Sequence, residues 1–226
     1  MDILEQMRDV ALFRGVPEER LRYLAERATY RVIKPGEMVV GETDYVRAFY
    51  ILVSGQMKLY KSSPEGKEQT LYLLLPGEPF GMCTAFATDS FPANAMALEE
   101  SAVLIIPGPA MENVAAKEPA LLLNVIQVLS NRLKESMALI ESLALKEIPQ
   151  RLATFLLHSL GKEGLSGESQ VQLTITHREL AKILGSTPEA LSRALKKMTN
   201  DGLVTVDGRI IGVLDRKSLE ALAEGD

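Results

Sequence analysis

The chain of 226 residues exceeds the usual single-domain length of about 100 to 200 residues, so two domains with separate cores are expected. A composition 46% hydrophobic and 24% charged is globular and excludes a disordered tail; no apolar run approaches the roughly 20 residues that cross a bilayer, and the acidic N-terminus lacks a signal-peptide pattern. The lone cysteine, Cys83, excludes an intrachain disulfide and agrees with a reducing cytoplasm, while a net charge of −5 excludes general stickiness toward nucleic acid.

Residues 1–30 read as helical, because "ILEQMRDVALF" and "PEERLRYLAERA" space their apolar residues by three and four, and Pro17 suits a first helical turn. They look like a lid. From Arg31 to Pro107 the pattern becomes short β-branched and aromatic runs separated by "KPGE", "SGQ", "SPEGK", "LPGEPFG" and "SFPAN". Turn signals about every ten residues predict an antiparallel sandwich or small barrel.

Residues 110–145 contain no glycine, and after Pro119 the series Leu122, Ile126, Leu129, Leu133, Ser136, Ile140 and Leu143 alternates steps of four and three. That heptad seam predicts a two-stranded coiled coil, hence a homodimer. The alternative is a helix that only packs on its own β domain, and Leu121, Val125 and Val128 point to some such contact. Pro149 disfavours α geometry at Ile148 and marks a hinge, after which "QRLATFLLHSLG" restarts a helix. "GKEGLSGESQ" reads as a loop and "VQLTI" as a strand. "THRELAKILG" and "TPEALSRALKKMTNDG" are two short helices, and Asp207-Gly208 between apolar runs signals a hairpin.

Thr176 is placed to cap the first of these helices, with Glu179 completing a capping box. Ala181, Ile183 and Leu184 supply its buried side, and Gly185 ends it. Thr187 caps the second helix and Pro188 takes its first position. Ala190, Leu191, Ala194, Leu195 and Met198 then face inward, leaving Glu189, Ser192, Arg193, Lys196 and Lys197 outward. Val171 to Asn200 holds five basic residues against two acidic ones, a net +3, so the rest of the chain carries −8. An acidic body with one basic surface favours directed docking on a polyanion. On such a helix Arg193 suits guanine O6 and N7, and Glu189 suits cytosine N4 while steadying the arginine fork. The alternative, an i, i+4 pair on a solvated face, contributes only a few tenths of a kcal/mol.

Taken in this order, the β region with "PGEPFG", the long helix, the restart at "IPQRLATFL" and the "E-x-x-S-R" helix resemble the CRP/FNR superfamily of bacterial transcription regulators over nearly the whole chain. The resemblance implies an α+β fold: an N-terminal β-roll, or cyclic-nucleotide-binding-like jelly roll, at 1–110, a dimerisation helix at 111–146 and a winged helix-turn-helix at 147–226. It implies double-stranded DNA and RNA polymerase as partners, with Thr176, His177, Thr187, Glu189, Ser192, Arg193, Lys196 and Lys197 on the DNA. Glu189, Ser192 and Arg193 match the triad of FNR-type members, which implies a palindromic TTGA-type operator; Pro188 stands where CRP-type members carry arginine.

Cyclic-AMP-binding relatives place a glutamate after "FG" and an Arg-Ser or Arg-Thr further on, since a buried phosphate needs charged or multidonor partners. Here those positions are Met82 and Pro92-Ala93, so cyclic AMP is not the expected effector, although Arg47 is a candidate replacement cation. The iron-sulfur mode needs a cysteine cluster that this chain lacks. Met82, Cys83, Phe86, Phe91 and Met96 then read either as core filling or as an effector pocket for a small organic ligand or for haem. Cys83 falls near the position of an iron-ligating histidine in the haem-based carbon-monoxide sensor of the superfamily, while Gly81 departs from that sensor's switching cysteine. "PFGMCTAF...FPANAMALEESAVLIIPG" is also similar to the nitrosative-stress regulators of anaerobic sulfate reducers, which implies haem and a diatomic gas, nitric oxide. Cys83 or His158 would ligate the iron. A ligand-binding protein without a DNA role is a further alternative; no catalytic constellation, P-loop or dinucleotide fingerprint is present, so an enzyme is not expected.

Overall fold

The central strand of the β region, "AFYILVS", is apolar at successive positions, which suits a strand covered on both faces. The computed structural model describes residues 2–86, 90–163 and 169–225, and places this strand as β3, Ala48–Ser54. It lies in an antiparallel sheet ordered β1 (Thr29–Ile33), β8 (Ser101–Pro107), β3 and β6 (Pro79–Phe80). A second sheet is ordered β2 (Met38–Val40), β7 (Asn94–Ala97), β4 (Met57–Ser62) and β5 (Glu68–Leu74). Because side chains alternate along β3, Tyr50 and Leu52 join Met57, Leu74 and Ala95 in one core cluster, whereas Phe49 and Ile51 join Leu104 and Ile106 in another.

The second cluster is closed by the N-terminal segment: α1 (Ile3–Arg8), a 3-10 turn at Ala11–Phe13 and α2 (Glu18–Ala25) bury Leu4, Met7, Leu12, Phe13, Leu21 and Leu24 there. Gly81 opens α3, Met82–Phe86. Its φ is +80°, and a Cβ would stand 2.6 Å from the Tyr50 ring and 2.9 Å from the Ala48 carbonyl, so only glycine fits.

The predicted helix at 111–146 is two helices. α4, Gly108–Ala115, ends at a turn, and α5 runs over Pro119–Leu145. The break falls before Pro119, whose missing N–H costs nothing in a first turn. Leu121, Val125 and Val128 of α5 pack on the cluster under the N-terminal helices, as their spacing predicts.

Two compact units divide the chain, Met1–Glu135 and Ser136–Asp226. In the second, α6 starts at Ile148, one residue before Pro149, and runs to Glu163, so Gly161 to Glu163, expected in a loop, are helical; 164–168 lie outside the described residues. α6 packs on α8 (Pro188–Asn200) and α9 (Arg216–Glu224). The strand expected over "VQLTI" is only β9, Gln170–Gln172, which borders β11 (Ile210–Val213), itself paired with β10 (Val204–Asp207). The hairpin is one residue out of the expected frame. Asp207 pairs with Ile210, so the turn is Gly208-Arg209, with glycine at the first central position and φ +57°.

Candidate nucleic-acid interface and effector face

α7, His177–Ile183, begins where the Thr176 hydroxyl accepts from the Glu179 N–H at 3.2 Å. Leu180, Ala181 and Leu184 form its buried side; Ile183, expected there, is only half-buried because Leu180 takes the inward position. Gly185, at φ +63°, ends it, and the Ser186 N–H donates back to the Ala181 carbonyl at 2.8 Å. After that tight turn, the Thr187 hydroxyl accepts from the Ala190 N–H at 3.2 Å and α8 starts with Pro188.

The outward face of α8 carries Glu189, Ser192, Arg193, Lys196 and Lys197, all exposed, over a buried face of Leu191, Ala194, Leu195 and Met198. Glu189 does not close on Arg193. Its own backbone N–H, then the Thr187 hydroxyl, and the Arg193 charge after these hold its carboxyl below the ordinary range. Among the described residues Arg193, Lys196 and Lys197 enter no ion pair, whereas Lys182 is held by Glu179 at 2.7 Å. A cleft of about 330 Å³ beside this face is lined by His177, Ser192, Lys196, Asn200 and Val206 among others, and the buried Nε2 of His177 meets no partner in it.

Two residues were not foreseen. Arg209 is exposed at the tip of the β10–β11 turn, which the glycine signal marked one residue too early. Arg151 is half-buried and donates to the carbonyls of Leu143 (2.8 Å), Lys146 (2.8 Å) and Leu184 (2.9 Å), tying the end of α5 to the end of α7. No sequence signal marks a lone arginine for such a task.

Along α5 the predicted seam is exposed at Leu122 (43%), Ile126 (56%), Leu129 (46%), Leu133 (63%) and Ile140 (67%), with Leu143 half-buried. These are large apolar side chains exposed on a single chain along one helix.

The five pocket candidates divide. Met82 and Phe86 belong to the cluster under the N-terminal helices, Phe91 to the cluster between the sheets, and Met96 is half-buried on β7 opposite Met38. Cys83 alone is exposed. Pro92 is exposed and Ala93 buried, and Arg47 is ion-paired to Glu112 on the surface. His158 is exposed on α6, in the other unit from Cys83. No group of three or more His, Cys, Asp or Glu suited to a metal occurs among the described residues.

A polar group joins α5 to β5. The Arg132 guanidinium lies 4.6 Å from the Tyr72 ring centre and donates to the Pro79 carbonyl. The Tyr72 hydroxyl donates to Glu78 at 2.9 Å, and burial, with the Glu78 charge behind it, pushes that phenol well above its ordinary range. Burial lowers Arg132 from its ordinary value.

An antiparallel β-roll, a long helix with an apolar stripe and a helix-turn-helix with a β wing together define a DNA-binding transcription regulator. Residues 30–118 match the cyclic nucleotide-binding domain and 150–222 the Crp-like helix-turn-helix domain. The chain is 30% identical to the fumarate and nitrate reduction regulatory protein of Vibrio cholerae, covering 91% of this chain and 82% of that protein. Its fold is similar to FixK2 of Bradyrhizobium japonicum (26% identity, 86% and 96% covered, TM-score 0.74) and to a CooA variant of Carboxydothermus hydrogenoformans (22%, 99% and 96%, 0.80). The chain belongs to the CRP/FNR family of transcription regulators, which are not enzymes. No helix among the described residues is long and apolar enough to cross a membrane.

Proposed function

We propose that the protein works in the cytoplasm as a homodimer on a palindromic TTGA-type operator, gated by a small effector other than cyclic AMP and acting on RNA polymerase. The observation that carries the DNA reading is the outward face of α8, where Glu189, Ser192 and Arg193 are exposed together and Arg193 has no ion-pair partner among the described residues. Thr176, His177, Thr187, Lys196 and Lys197 flank it as backbone contacts. The exposed seam of α5 supports dimerisation, because stacking Leu129, Leu133 and Ile140 on their copies removes apolar surface from water. Effector binding must favour one arrangement of the dimer over another to change DNA affinity. Fluorescence anisotropy with a TTGA palindrome and a scrambled duplex, over a salt series, tests the reading; equal affinity for both would overturn it.

Against cyclic AMP stand Met82, 5% exposed in a packed core, and the uncharged Pro92 and Ala93, while Arg47 is engaged with Glu112. The effector class we propose in its place is a small organic ligand.

Haem with nitric oxide as signal is a second reading, favoured by the exposed Cys83 thiol. Haem also needs a common apolar slot, and Met82, Phe86 and Phe91 are committed to two different clusters. The residues as packed do not fit it, and no step is derived through iron. Retention of one haem per chain, with a Soret band shifted by nitric oxide, would replace the organic-ligand reading.

A further inference from the structure

We infer that Arg209 is a specificity-determining residue of the proposed operator complex, a reading on which this inference rests: its guanidinium enters the minor groove bordering each half-site and selects A·T over G·C base pairs there. Arg209 sits at the tip of the β10–β11 hairpin, where Asp207 pairs with Ile210 and leaves Gly208-Arg209 as the entire turn. A two-residue turn has no slack. The Arg209 carbonyl accepts from the Leu173 N–H at 2.8 Å, and Leu173 is buried three residues before the Thr176 cap of α7, so the tip is tied to the segment that leads into the helix-turn-helix.

The side chain is left unengaged by that backbone. Arg209 is exposed, and among the described residues its guanidinium takes part in no ion pair, hydrogen bond or ring contact, not even with the exposed Asp207 beside it. A Cβ on Gly208 would meet nothing within 4 Å, so packing does not demand glycine there; it serves the φ of +57° and keeps the tip narrow.

The hairpin and α8 are walls of one cleft, which Val206, the residue before Asp207, lines together with Ser192, Lys196 and Asn200. With the outward face of α8 in the major groove, the sugar-phosphate strand bounding that groove runs along the cleft. Grooves alternate across each strand, so the hairpin tip beyond it stands over the minor groove. There A·T pairs present only the adenine N3 and thymine O2 acceptors, while guanine adds an obstructing amino group. Where A·T pairs narrow the groove its negative potential deepens and draws in arginine, whose guanidinium is more weakly hydrated than an ammonium. Arg209 thus distinguishes A·T from G·C but not A·T from T·A.

Fluorescence anisotropy of the full chain tests this on one TTGA palindrome with the base pairs bordering each half-site made A·T, G·C or inosine·cytosine. Inosine·cytosine keeps the major-groove groups of G·C and lacks the minor-groove amino group. The wild type should bind the A·T and inosine·cytosine duplexes about fivefold more tightly than the G·C duplex. R209Q should bind all three alike, and R209K, which keeps the charge on a more strongly hydrated group, should keep most of the affinity with a reduced ratio. Equal wild-type affinity for the three duplexes, inosine·cytosine as weak as G·C, or a wild-type ratio in R209Q would each overturn the role of Arg209. A scrambled centre between the same borders separates the two ideas. Preference for TTGA over the scrambled centre without any border preference sinks only the Arg209 inference. A border preference that R209Q abolishes, with no preference for TTGA, sinks only the operator reading.

Discussion

Arg151 Nη1 donates to the Leu184 carbonyl at 2.9 Å, while Nε and Nη2 of the same guanidinium take the Lys146 and Leu143 carbonyls at the end of α5. A cation at two helix C-termini satisfies carbonyls that have no intrahelical partner and opposes both dipoles. Arg151→Ala should destabilise the protein by about 2 kcal/mol, since charged hydrogen bonds are lost and carbonyls are left unpaired. Arg151→Lys should recover part of it. A thermal midpoint unchanged in Arg151→Ala would show that water replaces the guanidinium without loss.

Charge in the α5 seam should separate two chains. Leu129→Glu with Leu133→Glu places four carboxylates per dimer into an apolar interface, and sedimentation at micromolar concentration should give monomer. A dimer surviving both substitutions would mean that the chains associate elsewhere.

Arg193→Ala should cost about 1 to 3 kcal/mol at a single guanine and relax selection at that base, because a bidentate contact reads O6 and N7 together. Lys197→Ala should weaken every sequence alike and flatten the salt slope by about one unit. Selection from random duplexes should show two half-sites about 10 base pairs apart. Wild-type base preferences in Arg193→Ala would remove it from the reading face.

Cyclic AMP should neither bind at millimolar concentration nor change DNA affinity, because Met82, Pro92 and Ala93 offer no charged partner to the cyclic phosphate. Calorimetry decides this, and saturable binding displaced by cyclic GMP would point to Arg47 as the phosphate partner.

The Glu189 carboxyl is held low by its own backbone N–H, then by the Thr187 hydroxyl and the Arg193 charge. A group lowered on folding contributes stability that is present above its unfolded pKa and lost as pH falls through the folded one. Thr187→Val should therefore move Glu189 back up toward the ordinary carboxylate range, and Arg193→Ala should move it less. Carboxyl carbon shifts followed by NMR across the acidic range give the order directly; a larger effect from Arg193→Ala would reverse the assignment of causes.

What was legible in the sequence was local. Thr176, Thr187, Pro188 and Gly185 announce helix starts and a stop because caps and left-handed residues act within four positions. The inward and outward faces of α8 follow from a 3.6-residue period, and the α5 seam from a repeat of seven. The long helix was misread where a turn at 116–118 breaks it, and the wing by one residue, since register is set by pairing with another strand. Tertiary structure alone decided the rest. Met82 and Phe91 are nine positions apart yet fall in different clusters, because β3 buries both of its faces and each face gathers its own partners from distant strands and helices. Arg132 over Tyr72, and Arg151 on three carbonyls, have no sequence signature because each joins elements whose meeting depends on the packing of the whole unit, and a long flexible cation satisfies whatever carbonyl or ring that packing brings within reach.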